Sequence, residues 1–208
     1  MTSPDHTQDL VGPQFTALAD VLAGQPASVA DEPSLCDGWA VKHVVAHLTM
    51  AARYDQAQFL AELAADGHDF DALSERLARR DAEQPWEQLL ADLRSDVMAQ
   101  WAPPGGGAAG ALNHVVIHGL DLTTPLGLPR SSTDEAIRLV LEDMTTGRTA
   151  EHFGVQPSGI ALHANDIDWS LPEPGGNGDR ELSASSGDLV LALAGRPRPG
   201  LELLARKA

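Results

Sequence analysis

The stretch ALNHVVIHGLDL, Ala111 to Leu122, carries two histidines four residues apart in a segment that is otherwise almost wholly apolar. At about 100° per residue His114 and His118 leave one side of a helix in adjacent turns, and Asp121, three residues on, continues the same stripe. Val115, Val116, Ile117, Leu120 and Leu122 cover the remaining directions. A helix that is apolar nearly all round is predicted to be buried on several sides, which makes it an inner member of a helical bundle. Polar groups on such a helix need partners, and one metal ion satisfies two imidazoles at once.

Strong punctuation brackets this helix: Pro103-Pro104-Gly105-Gly106-Gly107 before it and Pro125-Leu-Gly127-Leu-Pro129 after it. Further upstream, Trp86, Leu89, Leu90, Leu93, Val97 and Trp101 recur at helical spacing just after Pro85, and Asp69 to Arg80 is charged but periodic. VKHVVAHLTMAARYDQAQFLAEL, from Val41, reads as one long helix with Val41, Val44, Val45, Leu48 and Met50 mostly to one side and His47 flanking that face. Phe15, Leu18 and Leu22 mark a first helix that ends at Gly24-Gln-Pro26. Thr133-Asp-Glu opens a capped helix through Ile137, Val140, Leu141 and Met144 to Gly147.

Beyond that helix the texture changes. Gly159 to Ala164 and Glu181 to Ser185 read as strands, Pro172 to Gly178 as a loop, and Asp188 to Ala194 as a short apolar helix closed by Gly195. The expected architecture is mainly α, a helical bundle over residues 8–150 with a small C-terminal α/β domain over residues 151–208.

Composition narrows the function classes. Thirty acidic against fourteen basic residues, a net charge of -16, argue against nucleic acid and against an anionic membrane surface, both of which need Lys and Arg. Aromatics are only 4% of the chain, so the core must be built from Leu, Val and Ala. The single cysteine, Cys36, excludes an intrachain disulfide and suits a reducing compartment. With neither a signal-like start nor an apolar run long enough to span a membrane, the expected location is the cytoplasm.

The chemistry-bearing residues are histidines. An i, i+4 pair is a good bidentate set because the backbone fixes its separation in advance, and His47, on another helix, is the best third ligand. Three imidazoles leave a coordination position open, as in catalytic zinc sites. The spacing alone leaves a second reading open, in which His114 and His118 only hydrogen-bond nearby carboxylates. His43 pairs with His47 at the same spacing but points further from the apolar face, toward solvent. Asp121 either orients a ligand histidine or caps and salt-bridges its own helix. Cys36 reads as a small buried residue rather than a nucleophile, and Trp39, Trp86 and Trp101 as packing residues.

The run LCDGWAVKHVVAHL, Leu35 to Leu48, resembles the first motif of the mycothiol-dependent maleylpyruvate isomerase family, within the DinB-like superfamily of metal-binding four-helix bundles. In that family a Cys-x-Gly-Trp turn leads into a helix bearing the first metal histidine, which implies His47 and not His43. HVVIHGLDLTTPLG, His114 to Gly127, resembles the second motif, with His114 standing where many relatives have Glu. ALHANDIDWSL (Ala161–Leu171) and DLVLALAGRPRP (Asp188–Pro199) resemble the small C-terminal domain and its Ala-Gly-Arg ending. The resemblance implies a divalent metal on His47, His114 and His118, zinc first with nickel or iron as alternatives. It further implies mycothiol as cosubstrate, a small-molecule electrophile as substrate, and Arg196 as a catalytic arginine that grips a carboxylate. The activity implied is isomerisation or S-transfer by a metal-activated thiolate. A non-catalytic metal- or ligand-binding protein and a metal-dependent hydrolase are the alternatives.

Overall fold

A computed structural model describes residues 4–146, 159–172 and 180–204 of the chain. They fall into two compact units, Met1–Ser131 and Ser132–Ala208. The sequence-derived boundary at residue 150 lies outside the described residues, as does most of the expected loop at 172–178.

The first unit is a helical bundle. Helix α1 (Pro4–Ala23) packs along α8 (Gly107–Thr123) and against α6 (Trp86–Leu93) and α7 (Asp96–Gln100). Its Val11, Phe15, Leu18 and Leu22 are fully buried, which is the stripe that the 3.6-residue period anticipates. Helix α2 (Val41–Leu48) packs on α5 (Phe70–Asp81), α6 and α8 through Val41, Val44, Val45 and Leu48. Helix α8 buries Leu112, Val115, Val116, Ile117, Leu120 and Leu122, so its all-round apolar surface is covered as expected.

The helix expected to run unbroken from Val41 to Leu63 is instead three: α2, α3 (Met50–Arg53) and α4 (Gln56–Ala65). The first break falls at Thr49, whose hydroxyl donates back to Val45 O at 2.7 Å and whose backbone leaves the helical region at φ -104, ψ 17. Such back-bonding by Thr bends helices. The second break is chemical punctuation: Asp55 and Gln58 form a reciprocal capping box that starts α4.

Arg53, just past the first break, holds the bend in place. Its guanidinium donates to Asp81 Oδ2 (3.1 Å), Asp92 Oδ2 (2.8 Å), Thr49 Oγ1 (2.8 Å) and the Ala46 carbonyl. Tyr54 O–H also donates to Asp81, and Gln88 Nε2 to Asp92 Oδ1 at 2.8 Å. The segment from Trp86 to Trp101 is likewise split, because Ser95 accepts from Met98 N–H and opens α7 as a separate helix. Helix α8 begins at Gly107, four residues before the expected Ala111.

In the second unit α9 (Asp134–Thr146) starts after Thr133, whose Oγ1 accepts from Ala136 N–H. A three-stranded sheet of order β2-β1-β3 follows, with β1 (Ala161–Ala164) antiparallel to β2 (Ser170–Leu171) and parallel to β3 (Glu181–Ala184). Helix α10 (Ser186–Leu193) packs on α9. Its end is a Schellman turn: Gly195 sits at φ 80, and Arg196 N–H reaches back to Leu191 O at 2.9 Å. Among the described residues no helix is long and apolar enough to cross a membrane.

Candidate metal centre

Two helices and one turn build the site. On α8 the i, i+4 spacing puts His114 and His118 on one side, and α2, packed across α8, brings His47 from its last turn. The three ring centroids lie 5.0 to 5.1 Å from one another. Each ring offers a nitrogen, and these nitrogens lie within 4.8 Å of one another. The three histidines singled out from the sequence are therefore brought together.

Two nitrogens of this cluster are without a partner. His47 Nδ1 and His114 Nε2 are buried with no hydrogen bond, and the other such side-chain atom among the described residues is Ser74 Oγ. A buried, unmatched polar atom costs roughly 1–3 kcal/mol, so two of them within one cluster of three imidazoles are poorly explained by packing alone. Burial also keeps these rings uncharged. Desolvation, helped by the neighbouring His118, pushes His47 down to about 3, and desolvation, with both other rings, holds His114 well below the ordinary histidine range. Neutral imidazoles with exposed lone pairs are the form in which histidine binds zinc, nickel or iron, and the cluster fits such an ion.

His118 is held differently. Its Nδ1 lies 3.0 Å from Asp121 Oδ2, and the Asp121 side chain is completely buried. This is the arrangement in which a carboxylate orients a ligand histidine. The turn before α2 contributes Cys36, whose thiol donates to the same Asp121 Oδ2 at 3.2 Å with its sulfur 3.7 Å from His118 Nδ1. Cys36 to Trp39 form a tight turn closed by Trp39 N–H to Cys36 O at 3.0 Å, with Gly38 at φ 73, a conformation that suits glycine. A bridge between Pro33 and Ala40 closes its base.

Two indoles border the histidines. Trp39 lies 5.3 Å from His47 and Trp101 lies 5.1 Å from His114, centroid to centroid. Both are half-buried, and Trp39 is anchored through its indole N–H to Glu75. Residue type and spacing alone suggest packing for both. Their place beside the site depends on where the loops before α2 and α8 fold, which helical periodicity does not report. His43, by contrast, stays out of the cluster: its Nδ1 accepts from Ala40 N–H at 2.9 Å and caps α2.

Arg196 belongs to the second unit. It is half-buried, directly after the Gly195 turn, and its Nη1 donates to Ala194 O at 2.8 Å.

A family model described as the mycothiol maleylpyruvate isomerase N-terminal domain matches residues 11–123, a span that contains Cys36, His47, His114, His118 and Asp121. Among solved structures, a histidine-to-alanine variant of the mycothiol-dependent maleylpyruvate isomerase is similar at 17% identity and TM-score 0.57. The match covers 96% of this chain and 92% of that one. The same isomerase without that substitution is similar at 18% identity and TM-score 0.50, with the same coverage. At those identities the two structures speak for the fold. No curated protein matches the sequence.

Proposed function

The chain belongs to the mycothiol maleylpyruvate isomerase N-terminal domain family, and from that membership we propose that it is a metal-dependent enzyme using a low-molecular-weight thiol, mycothiol, on a small electrophile. The reaction is isomerisation or S-transfer, with the thiolate as nucleophile. The observation that carries this reading is the meeting of His47, His114 and His118, two of them with buried nitrogens that have no hydrogen-bond partner among the described residues.

His47, His114 and His118 would hold the ion. A divalent ion bound there, zinc first and nickel or iron as alternatives, supplies the positive charge that favours the thiolate form of a thiol at neutral pH. The residues of the chain do the rest. Kept neutral by burial, His47 and His114 offer lone pairs instead of competing for protons. Trp39 and Trp101 give the cluster an apolar border, which favours a thiol and a flat conjugated electrophile over water. Arg196 is proposed to grip a substrate carboxylate, for which a guanidinium is the best-shaped donor, and its assignment rests on the Ala-Gly-Arg ending. Since the nucleophile arrives with the cosubstrate, Cys36 is not needed as one. Such an enzyme works where its thiol cosubstrate is kept reduced, in the cytoplasm.

The test is metal analysis of protein purified without a histidine tag, followed by incubation with small electrophiles such as maleylpyruvate, with and without mycothiol. Stoichiometric divalent metal and thiol-dependent turnover are the expected results. A metal-free protein indifferent to thiol would sink the proposal.

A further inference from the structure

One carboxylate oxygen, Asp121 Oδ2, lies within hydrogen-bond distance of two groups: the His118 ring at Nδ1 (3.0 Å) and the Cys36 thiol (3.2 Å). The carboxylate is fully buried and the His118 side chain is only 17% exposed, so water does not dilute either bond. The turn carrying Cys36 is tied to this same residue through its backbone, since Leu35 N–H donates to Asp121 O at 3.0 Å. Ser34 Oγ accepts from Cys36 N–H at 3.1 Å, which fixes the start of the turn.

We propose that Asp121 is a positioning residue that locks the His118 imidazole with its proton on Nδ1, and that Cys36 tunes the lock by competing for the same oxygen. A carboxylate can only accept, so the ring nitrogen facing it must carry the proton, and the lone pair is thereby kept at Nε2. That is the tautomer a metal ligand needs if it binds through Nε2. The stronger the pull of Asp121 on the Nδ1 proton, the better an electron-pair donor Nε2 becomes. A thiol is a weak donor and takes only part of the oxygen's capacity. Removing it leaves Oδ2 more fully to His118, whereas a hydroxyl in its place takes more. The purpose assigned to the lock rests on the metal reading above; the lock itself does not.

Long-range 1H–15N spectra of the metal-free protein at pH 8 read the tautomer directly. The expected result is a His118 ring protonated at Nδ1 in the wild type. In Asp121→Asn the charge is gone: the carboxamide either donates its N–H to Nδ1, which moves the proton to Nε2, or accepts from Nδ1–H as a weaker, neutral partner. Co2+ titration supplies the second readout: affinity falls about 10- to 100-fold in Asp121→Asn. The Cys36 variants move it in opposite directions, tighter in Cys36→Ala and looser in Cys36→Ser, each by a few fold. A wild-type ring protonated at Nε2 overturns the proposal. So does an Asp121→Asn protein with both an unchanged tautomer and an unchanged Co2+ affinity. Should Asp121→Asn fail to fold, the Nδ1–H chemical shift decides in the two cysteine variants: opposite displacements support the competition and equal or absent ones overturn it. A locked tautomer in a protein that takes up no Co2+ supports the lock and instead defeats the metal reading.

Discussion

Two polar clusters are buried in the first unit within a few residues of each other on the chain, one around Arg53 and one around His47, and they are built on opposite principles. Around Arg53 the account closes: the guanidinium meets Asp81, Asp92, Thr49 and the Ala46 carbonyl, and Tyr54 and Gln88 fill remaining positions on the carboxylates. Around His47 it does not close, and two imidazole nitrogens are buried without a partner. A buried charge network that is complete holds a fold in register. Buried polar atoms that have no partner among the described residues call for an explanation outside packing, and a bound metal is the one proposed above. The difference separates the residues that bend the chain from those proposed to hold a metal, although both sets are polar, buried and close in sequence.

The largest expected effect breaks the closed cluster. Arg53→Met leaves Asp92 without a cationic partner among the described residues and Asp81 with only the half-exposed Arg80, and loss of such a partner costs about 3–5 kcal/mol, read by urea unfolding of the metal-free protein. A loss under about 1 kcal/mol would show that the network contributes no more than a surface pair.

The open cluster has its own sensitivity, to acid. His47 and His114 have folded-state values below the ordinary 6.5, so between pH 6.5 and about 3 the unfolded chain binds more protons than the folded one. Stability of the metal-free protein is therefore level above pH 6.5 with respect to these groups and falls as pH drops toward 3. The variant His47→Leu should flatten part of that fall in thermal melts across the pH range. An identical pH profile would mean that His47 is not held neutral by burial.

A smaller effect on stability, with a large one on binding, is expected for His114→Leu. Metal uptake is lost, while stability of the metal-free protein stays within about 1 kcal/mol of wild type or rises, because an unmatched buried nitrogen goes with the ring. A large destabilisation would place His114 with Arg53 as a structural residue.

The smallest effect separates His43 from His47. Replacing His43 with Ala removes the acceptor for Ala40 N–H and costs about 1 kcal/mol, with metal occupancy preserved, whereas His47→Ala abolishes occupancy. Equal losses of metal in the two variants would overturn the assignment of the third ligand.

Much of this was legible in the residues. That His114, His118 and Asp121 lie on one side of α8 follows from helical spacing, because a single helix carries its geometry in its sequence. His47 follows from its place beside an apolar face, and the capping and Gly195 signals of the second unit fall where the chain turns. What escaped involves contacts between segments. Apolar periodicity continues through Thr49 and hides the bend, which Arg53 stabilises from partners 28 and 39 residues away. The Asp55–Gln58 capping box was a local signal and would have found the second break. Strand β2 is two residues long, too short to show alternation. Cys36, Trp39 and Trp101 sit in turns, where no period says which way a side chain faces.

The sequence by itself determined that the chain is mainly helical, that α8 is buried, and that His114, His118 and Asp121 share one stripe, because each of these is a property of a single segment with a known rise and twist. Tertiary structure alone decided how closely His47 approaches the pair on α8, that Cys36 shares a carboxylate oxygen with His118, and that two indoles border the site. Those are distances between groups up to 85 residues apart, as for Cys36 and Asp121. Only the packing of α2 and its preceding turn onto α8 sets such distances, and packing is a property of surfaces meeting, which the order of residues along either helix does not contain.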